Sequence, residues 1–202
     1  MKSNTFLGAV LGAMICSATV YAVEPGDAAP GFTVKNVKGE EVSLADFKDK
    51  VVVLEWINYD CPFVKKHYGS GNMPKLQQTY TGKDVVWISV NSSAEGQQGY
   101  LPPSDLAARS TKEGNKASQI VLDTDGTVGK AYGAMTTPHM IVINQDGKVA
   151  YNGAIDSKAT TEVADIETAD SYVSAALDAV LAGEAVETAK TKPYGCGVKY
   201  AK

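Results

Sequence analysis

Residues 51–59, VVVLEWINY, constrain the fold more than any other stretch. Their apolar side chains run from Val51 to Leu54 without alternation. A strand with one wet face alternates, so an unbroken run predicts a strand buried on both faces, in a sheet covered by helices. The run closes at Asp60-Cys61-Pro62, and PFVKKHY continues with a helical look. Proline is tolerated in a first helical turn, where its missing N–H has no partner to lose. The stretch therefore predicts strand, cysteine, helix, with the thiol at the junction.

The rest of the chain repeats that alternation. FTVKNVKGEEVSL reads as a hairpin around Gly39, and GSGN (69–72) divides the first helix from a second that has Pro74 in its opening turn. DVVWISVNSS is another buried strand. Residues 94–118 are polar and glycine-rich, with a modest helix from about Ser104. QIVLDTDG is a strand and turn, TVGKAYG a short helix, and HMIVINQDGKVAYNGAI a hairpin turning at Asp146-Gly147. Ile166, Ala169, Val173, Ala176, Leu177 and Val180 fall on one helical face, with Gly183 as the stop. The tail TAKTKPYGCGVKYAK is expected to be irregular. The order predicts an α/β domain: a mixed central sheet flanked by helices, with an N-terminal β-hairpin.

Residues 1–22 read as an export signal. Lys2 precedes the apolar segment 6–20, and Val20 and Ala22 are small residues before the expected cleavage point. Cys16 would leave with that segment. A domain over 23–185 and a tail over 186–202 remain. With 19 basic against 23 acidic residues and no basic stripe, nucleic acid is not an expected partner. No second apolar segment predicts membrane attachment after cleavage. Cys61 and Cys196 would then sit in an oxidising compartment, where thiols pair.

GDAAPGFTVKNVKGEEVSLADFKDKVVVLEW and VLDTDGTVGKAYGAMTTPHMIVINQDGKVAYNG resemble the two halves of the redoxin domain. That domain is shared by thioredoxin-like thiol-disulfide oxidoreductases and alkyl hydroperoxide reductase / thiol-specific antioxidant proteins. CPFVKKHY and YGCGVKY further resemble a peroxiredoxin-like subgroup. The resemblance implies a thioredoxin-like fold, no cofactor and a periplasmic location. It implies a cis Thr137-Pro138 bond beside Cys61, with the Thr137 backbone turned to pair with an extended substrate. The partners implied are a thioredoxin-like reductant and an oxidised protein or peroxide.

A nucleophilic thiol must be largely thiolate, and a helix N-terminus favours that state. Cys61 is the expected nucleophile, with Lys65 favouring ionisation and Asp60 and Glu55 opposing it. Cys196 is the expected resolving thiol. A static bond, a free thiol and an interchain bond remain open, and the flanking glycines suggest a tail free to move. Typical peroxiredoxins have proline and threonine where this chain has Leu54 and Asn58, so Asn58 is left as the donor to a substrate oxygen. Arg109 lies in the polar insert, away from the expected place. Val64 stands where thioredoxins carry their second cysteine. Neither parent mechanism transfers whole. The reading is an exported thiol-disulfide oxidoreductase or weak thiol peroxidase.

The alternative is a non-catalytic protein, either holding a fixed disulfide or handling copper through Cys61, His67, His139 and Cys196. DTDG and NQDG lack the further ligands of a calcium loop and read as turns. Ser43 and Asp46 read as a helix cap.

Overall fold

The computed structural model describes residues 22–201. The expected export signal, with Cys16, lies outside them except for Ala22. In chain order the elements are β1 (Thr33–Asn36), β2 (Glu41–Ser43), β3 (Val52–Trp56), α1 (Pro62–Gly69), α2 (Asn72–Thr81) and β4 (Val86–Asn91). α3 (Pro103–Lys112), β5 (Gln119–Leu122), α4 (Thr127–Tyr132), β6 (Thr136–Thr137), β7 (Met140–Ile143) and β8 (Val149–Gly153) follow. The last are α5 (Tyr172–Ala182) and β9 (Cys196–Gly197).

Seven strands form one mixed sheet in the order β2-β1-β5-β4-β3-β7-β8. β3 runs parallel to β4 and antiparallel to β7, and β4 runs parallel to β5. All five residues of β3 are buried, as its unbroken apolar pattern predicts. Its side chains alternate between two cores. Val53 faces Tyr68, Met73 and Tyr80 of α1 and α2, with Val173, Ala176 and Leu177 of α5. Val52, Leu54 and Trp56 face Val128 and Tyr132 of α4. The expected mixed sheet with helices on both faces is therefore present, with its N-terminal hairpin turning at Gly39 (φ 83°).

Glu55 is the one acidic residue of β3, and it is fully buried. Its carboxylate accepts bonds from Trp87 Nε1 (2.7 Å), Gln77 Nε2 (2.8 Å), the Tyr68 hydroxyl (2.8 Å) and the Ser89 hydroxyl (3.2 Å). Burial raises its pKa, and those four donors hold part of the rise back. Ser43 and Asp46 form a reciprocal cap on the 3₁₀ turn Leu44–Phe47. Asp123 of the first turn motif accepts from the Val128 and Gly129 N–H groups and from the Ser92 hydroxyl.

Two expectations change. Ile166 and Ala169 do not belong to the last helix. Residues Val163–Thr168 form a separate 3₁₀ turn, and α5 begins only after Ser171, whose hydroxyl accepts from Ser174 N. The sequence Thr-Ala-Asp-Ser supplies turn and cap formers that interrupt the apolar spacing. The tail is not irregular either. Asn152 N donates to Ala189 O and Thr191 N to Asn152 O, β9 pairs with β6, Val198 N donates to Met135 O, and Ala94 N donates to Lys199 O.

Candidate active site

Beyond β3 the chain makes a tight turn. Cys61 N donates to Asn58 O (2.9 Å) and Asp60 N to Asn58 Oδ1 (3.0 Å). Cys61 is then the N-cap of α1, with Pro62 the first helical residue. Its side chain is fully buried. The Thr137-Pro138 bond is cis, as the resemblance implies. Cys61 Sγ donates to the Thr137 carbonyl at 3.0 Å.

Cys196 arrives at the same place from the far end of the chain. β9 lies antiparallel on β6, with Cys196 opposite Thr137 and Gly197 opposite Thr136. The approach is close enough that a Cβ on Gly195 would run into the Thr137 carbonyl, and Gly195 takes φ 140°. This glycine therefore serves close packing, not the free movement expected of the tail. Tyr194 and Tyr200 fix the strand on either side. The Tyr194 hydroxyl donates to Asp156 Oδ1 (2.5 Å), and its ring packs against Phe63. The Tyr200 hydroxyl donates to Ala134 O (2.8 Å), and its ring lies over Gly126 and Gly129.

Both thiols are free, and they lie close enough for each to influence the ionisation of the other. Burial pushes the Cys61 thiol up. Bonds from the Cys196 side chain, the Val64 and Cys196 backbone and the Thr137 side chain outweigh it and hold the pKa below its ordinary value. The bond to the Thr137 carbonyl opposes this, because only the neutral thiol can donate it. Cys196 moves the other way, to about 11, through burial and through its bond to, and charge repulsion from, Cys61. The two thiols are thus shifted in opposite directions, Cys61 down and Cys196 up.

The other expected residues take different places. Asn58 is buried, and its carboxamide is committed to Asp60 N and to Gln98 Oε1 (2.9 Å). It braces the turn before Cys61, where it was expected on the substrate surface. Arg109 was expected away from the site, yet its Nη2 donates to Tyr59 O (3.1 Å) and its Nη1 reaches Asp60 (3.4 Å), so it holds the same turn from outside. Lone charged residues on a polar helix give no sequence signal of such a bond.

The copper set does not assemble. His67 accepts from Asn72 Nδ2 at Nδ1 (2.9 Å) and donates from Nε2 to the Tyr194 hydroxyl (3.2 Å). His139 accepts from Met135 N at Nδ1 (3.2 Å) and donates from Nε2 to Asn152 Oδ1 (2.7 Å). Both rings are buried and fully bonded. Among the described residues no three histidine, cysteine or acidic side chains gather as a metal-binding group. Burial lowers the pKa of both rings. For His67 the value is about 4, with Asp156 opposing the shift and Lys66 adding to it.

Comparison with known proteins agrees with this geometry. The chain is 28% identical over 162 residues to the thiol-disulfide oxidoreductase ResA of Bacillus cereus, covering 74% of this chain and 87% of that protein. An uncharacterized conserved protein from Geobacillus kaustophilus has 29% identity and a TM-score of 0.75, over 88% of this chain and 93% of its own. A thiol:disulfide interchange protein DsbE from Chlorobium tepidum, at 22% identity and TM-score 0.53, covers 77% of this chain and 99% of its own and shares the thioredoxin-like fold. The redoxin family model matches residues 24–169, and the chain belongs to the redoxin family.

Proposed function

We propose that this chain is an exported, peroxiredoxin-like thiol-disulfide oxidoreductase, with weak thiol peroxidase activity, that uses Cys61 as nucleophile and Cys196 as resolving cysteine. The observation that carries the reading is the thiol pair itself, with the member of lowered pKa at a helix start beside cis-Pro138. The names of the ResA relatives support the reaction class.

In the peroxidase half-reaction the Cys61 thiolate attacks one oxygen of a hydroperoxide. An S–O bond forms, the O–O bond breaks, and the leaving alkoxide is protonated to the alcohol. Oxidation removes the negative charge at Cys61, which is part of what keeps Cys196 protonated. The Cys196 thiolate then attacks the sulfenic sulphur, an S–S bond forms, and the hydroxyl leaves as water. With a disulfide substrate, Cys61 forms a mixed disulfide and Cys196 displaces the substrate as a thiol. Each cycle passes two electrons to the substrate, and a thioredoxin-like dithiol restores the pair. Residues 1–22 support periplasmic delivery.

Mass mapping of both cysteines before and after peroxide, and again after dithiol, tests the reading. The expected product is a reducible Cys61–Cys196 bond, replaced by a Cys61 sulfenic acid in Cys196→Ser. A Cys61 that forms neither would sink it.

A further inference from the structure

A buried cluster of titratable side chains meets the tail at Tyr194, two residues before Cys196. The Tyr194 ring packs on Phe63 with centroids 5.7 Å apart. Its hydroxyl sits between His67 Nε2 (3.2 Å) and Asp156 Oδ1 (2.5 Å). Phe63, Lys66 and His67 share one face of α1, being three and four residues apart. That face holds the tail through Phe63 and His67. It holds the loop after β8 through the bond from Lys66 Nζ to Lys158 O (3.1 Å). Cys61 caps the same helix. The nucleophile and the grip on the tail therefore ride on one rigid element.

The bonds run in one direction. His67 Nδ1 accepts from Asn72 Nδ2 (2.9 Å), so the ring proton is on Nε2 and is given to the Tyr194 hydroxyl. Tyr194 gives its own proton to Asp156, which also accepts from Lys158 N (3.0 Å). His67 and Asp156 are both buried. A hydroxyl seated this way fixes the tail along α1, whereas the pairing of β9 with β6 fixes it against Thr136 and Thr137. We propose that Tyr194 is a positioning residue: held by His67 and Asp156, it sets where Cys196 stands against Cys61, and so decides whether a sulfenic acid on Cys61 closes to the disulfide or is oxidised further. The proposal rests on the redox role proposed for Cys61.

Two fates compete for the sulfenic acid. In closure the Cys196 thiolate attacks its sulphur. The S–S bond forms, the S–O bond breaks, and the hydroxide takes a proton from solvent and leaves as water. In further oxidation a second hydroperoxide gives up one oxygen. A second S–O bond forms, the O–O bond breaks, and the alcohol leaves, so Cys61 becomes a sulfinic acid that a dithiol does not restore. Closure happens within the chain and depends on the position of Cys196. Further oxidation rises with the peroxide concentration.

Tyr194→Phe in the full chain keeps the ring on Phe63 and removes only the hydroxyl. His67 Nε2 lies 3.9 Å from Asp156 Oδ2, near enough for the two to pair once the hydroxyl is gone, so the core is not left with orphaned groups. Rates of sulfenic acid formation and of disulfide closure with hydrogen peroxide are read by mass after rapid quenching, each on the plateau of its pH profile. The ratio of closure to sulfenic acid formation should fall about tenfold in Tyr194→Phe and in Asp156→Ala. Sulfinic acid should then appear at peroxide levels that the wild type resolves. Asp156→Asn, which retains an acceptor for the hydroxyl, should recover most of the ratio. The double variant Tyr194→Phe/Asp156→Ala should fall no further than either single one, since both break the same unit. A ratio unchanged in Tyr194→Phe, or a double variant whose losses multiply, overturns the proposal.

A second arm needs no redox chemistry. In the reduced chain, hydrogen exchange at the Val198 amide, which is bonded to Met135 O, reports how often β9 lifts. Tyr194→Phe should speed that exchange about tenfold while the β3 amides keep their protection. Equal exchange in the two chains overturns the positioning role. Faster exchange in the variant, together with a wild-type Cys61 that no oxidant modifies, upholds the grip on the tail and removes only the redox reading.

Discussion

Cys61 owes its acidity to donors that must be held in place against the cost of burial. Cys196 supplies two of them, one from its side chain and one from its backbone. Peroxide oxidation of Cys61 should therefore rise with pH to a midpoint below the ordinary thiol value near 8.5, because the rate falls as the thiolate is protonated. In Cys196→Ala the side-chain donor is gone, so the midpoint should move up, as read by sulfenic acid trapping across a pH series. Gly195→Ala tests the strand's closeness. A side chain at φ 140° facing the Thr137 carbonyl forces β9 outward. Disulfide closure after peroxide should slow by about tenfold, since small misplacements of reacting groups are costly, while sulfenic acid formation continues. Cys61 and Cys196 were legible in the sequence because motif and chemistry agree on them. Gly195 was misread, since a glycine chosen for close approach and one chosen for mobility look alike in a sequence.

At the scale of elements, β3 and α1 were legible because their side chains carry the pattern. β9 was not, because its partners Thr136, Thr137 and Met135 are remote in sequence and mostly meet it through backbone groups. α1 also hid a detail. Polar as they are, Lys66 and His67 are buried: Lys66 donates to Lys158 O, and His67 lies under Tyr194 and Asp156. A folded His67 that titrates near 4, against 6.5 when unfolded, leaves the unfolded chain binding more protons in that window. Its contribution to stability is full above pH 6.5 and is lost as pH falls toward 4, by at most about 3 kcal/mol. Urea unfolding of wild type and His67→Gln at pH 7 and pH 4.5 should show a smaller acid loss in the variant. The Glu55 cluster offers a second test. Glu55→Leu leaves the indole of Trp87 and the amide of Gln77 without their buried acceptor. It should cost roughly 2–4 kcal/mol by the same measurement.

Across the whole molecule, the tail ties the last residues to both ends of the fold. Lys190 pairs with Glu24, and Asn152 donates to the Ala189 and Val23 carbonyls and accepts from Thr191 N. Closing a Cys61–Cys196 bond would add a covalent loop of roughly 135 residues, worth up to about 5 kcal/mol through loss of unfolded-state freedom. The oxidised protein should unfold at higher denaturant than the reduced one, and Cys196→Ser should show no such difference.

Cys61 is the more acidic of the two thiols, yet it lies wholly beneath its neighbours, while Cys196 is partly open to solvent. For a covered group, observed reactivity is intrinsic reactivity multiplied by the fraction of time it is uncovered. A bulky thiol reagent should therefore mark Cys196 first and Cys61 only when the strand lifts, despite Cys61 being the stronger acid. The interval between the first and second label then works as a clock for the tail, timing its excursions in a protein that has met no substrate at all.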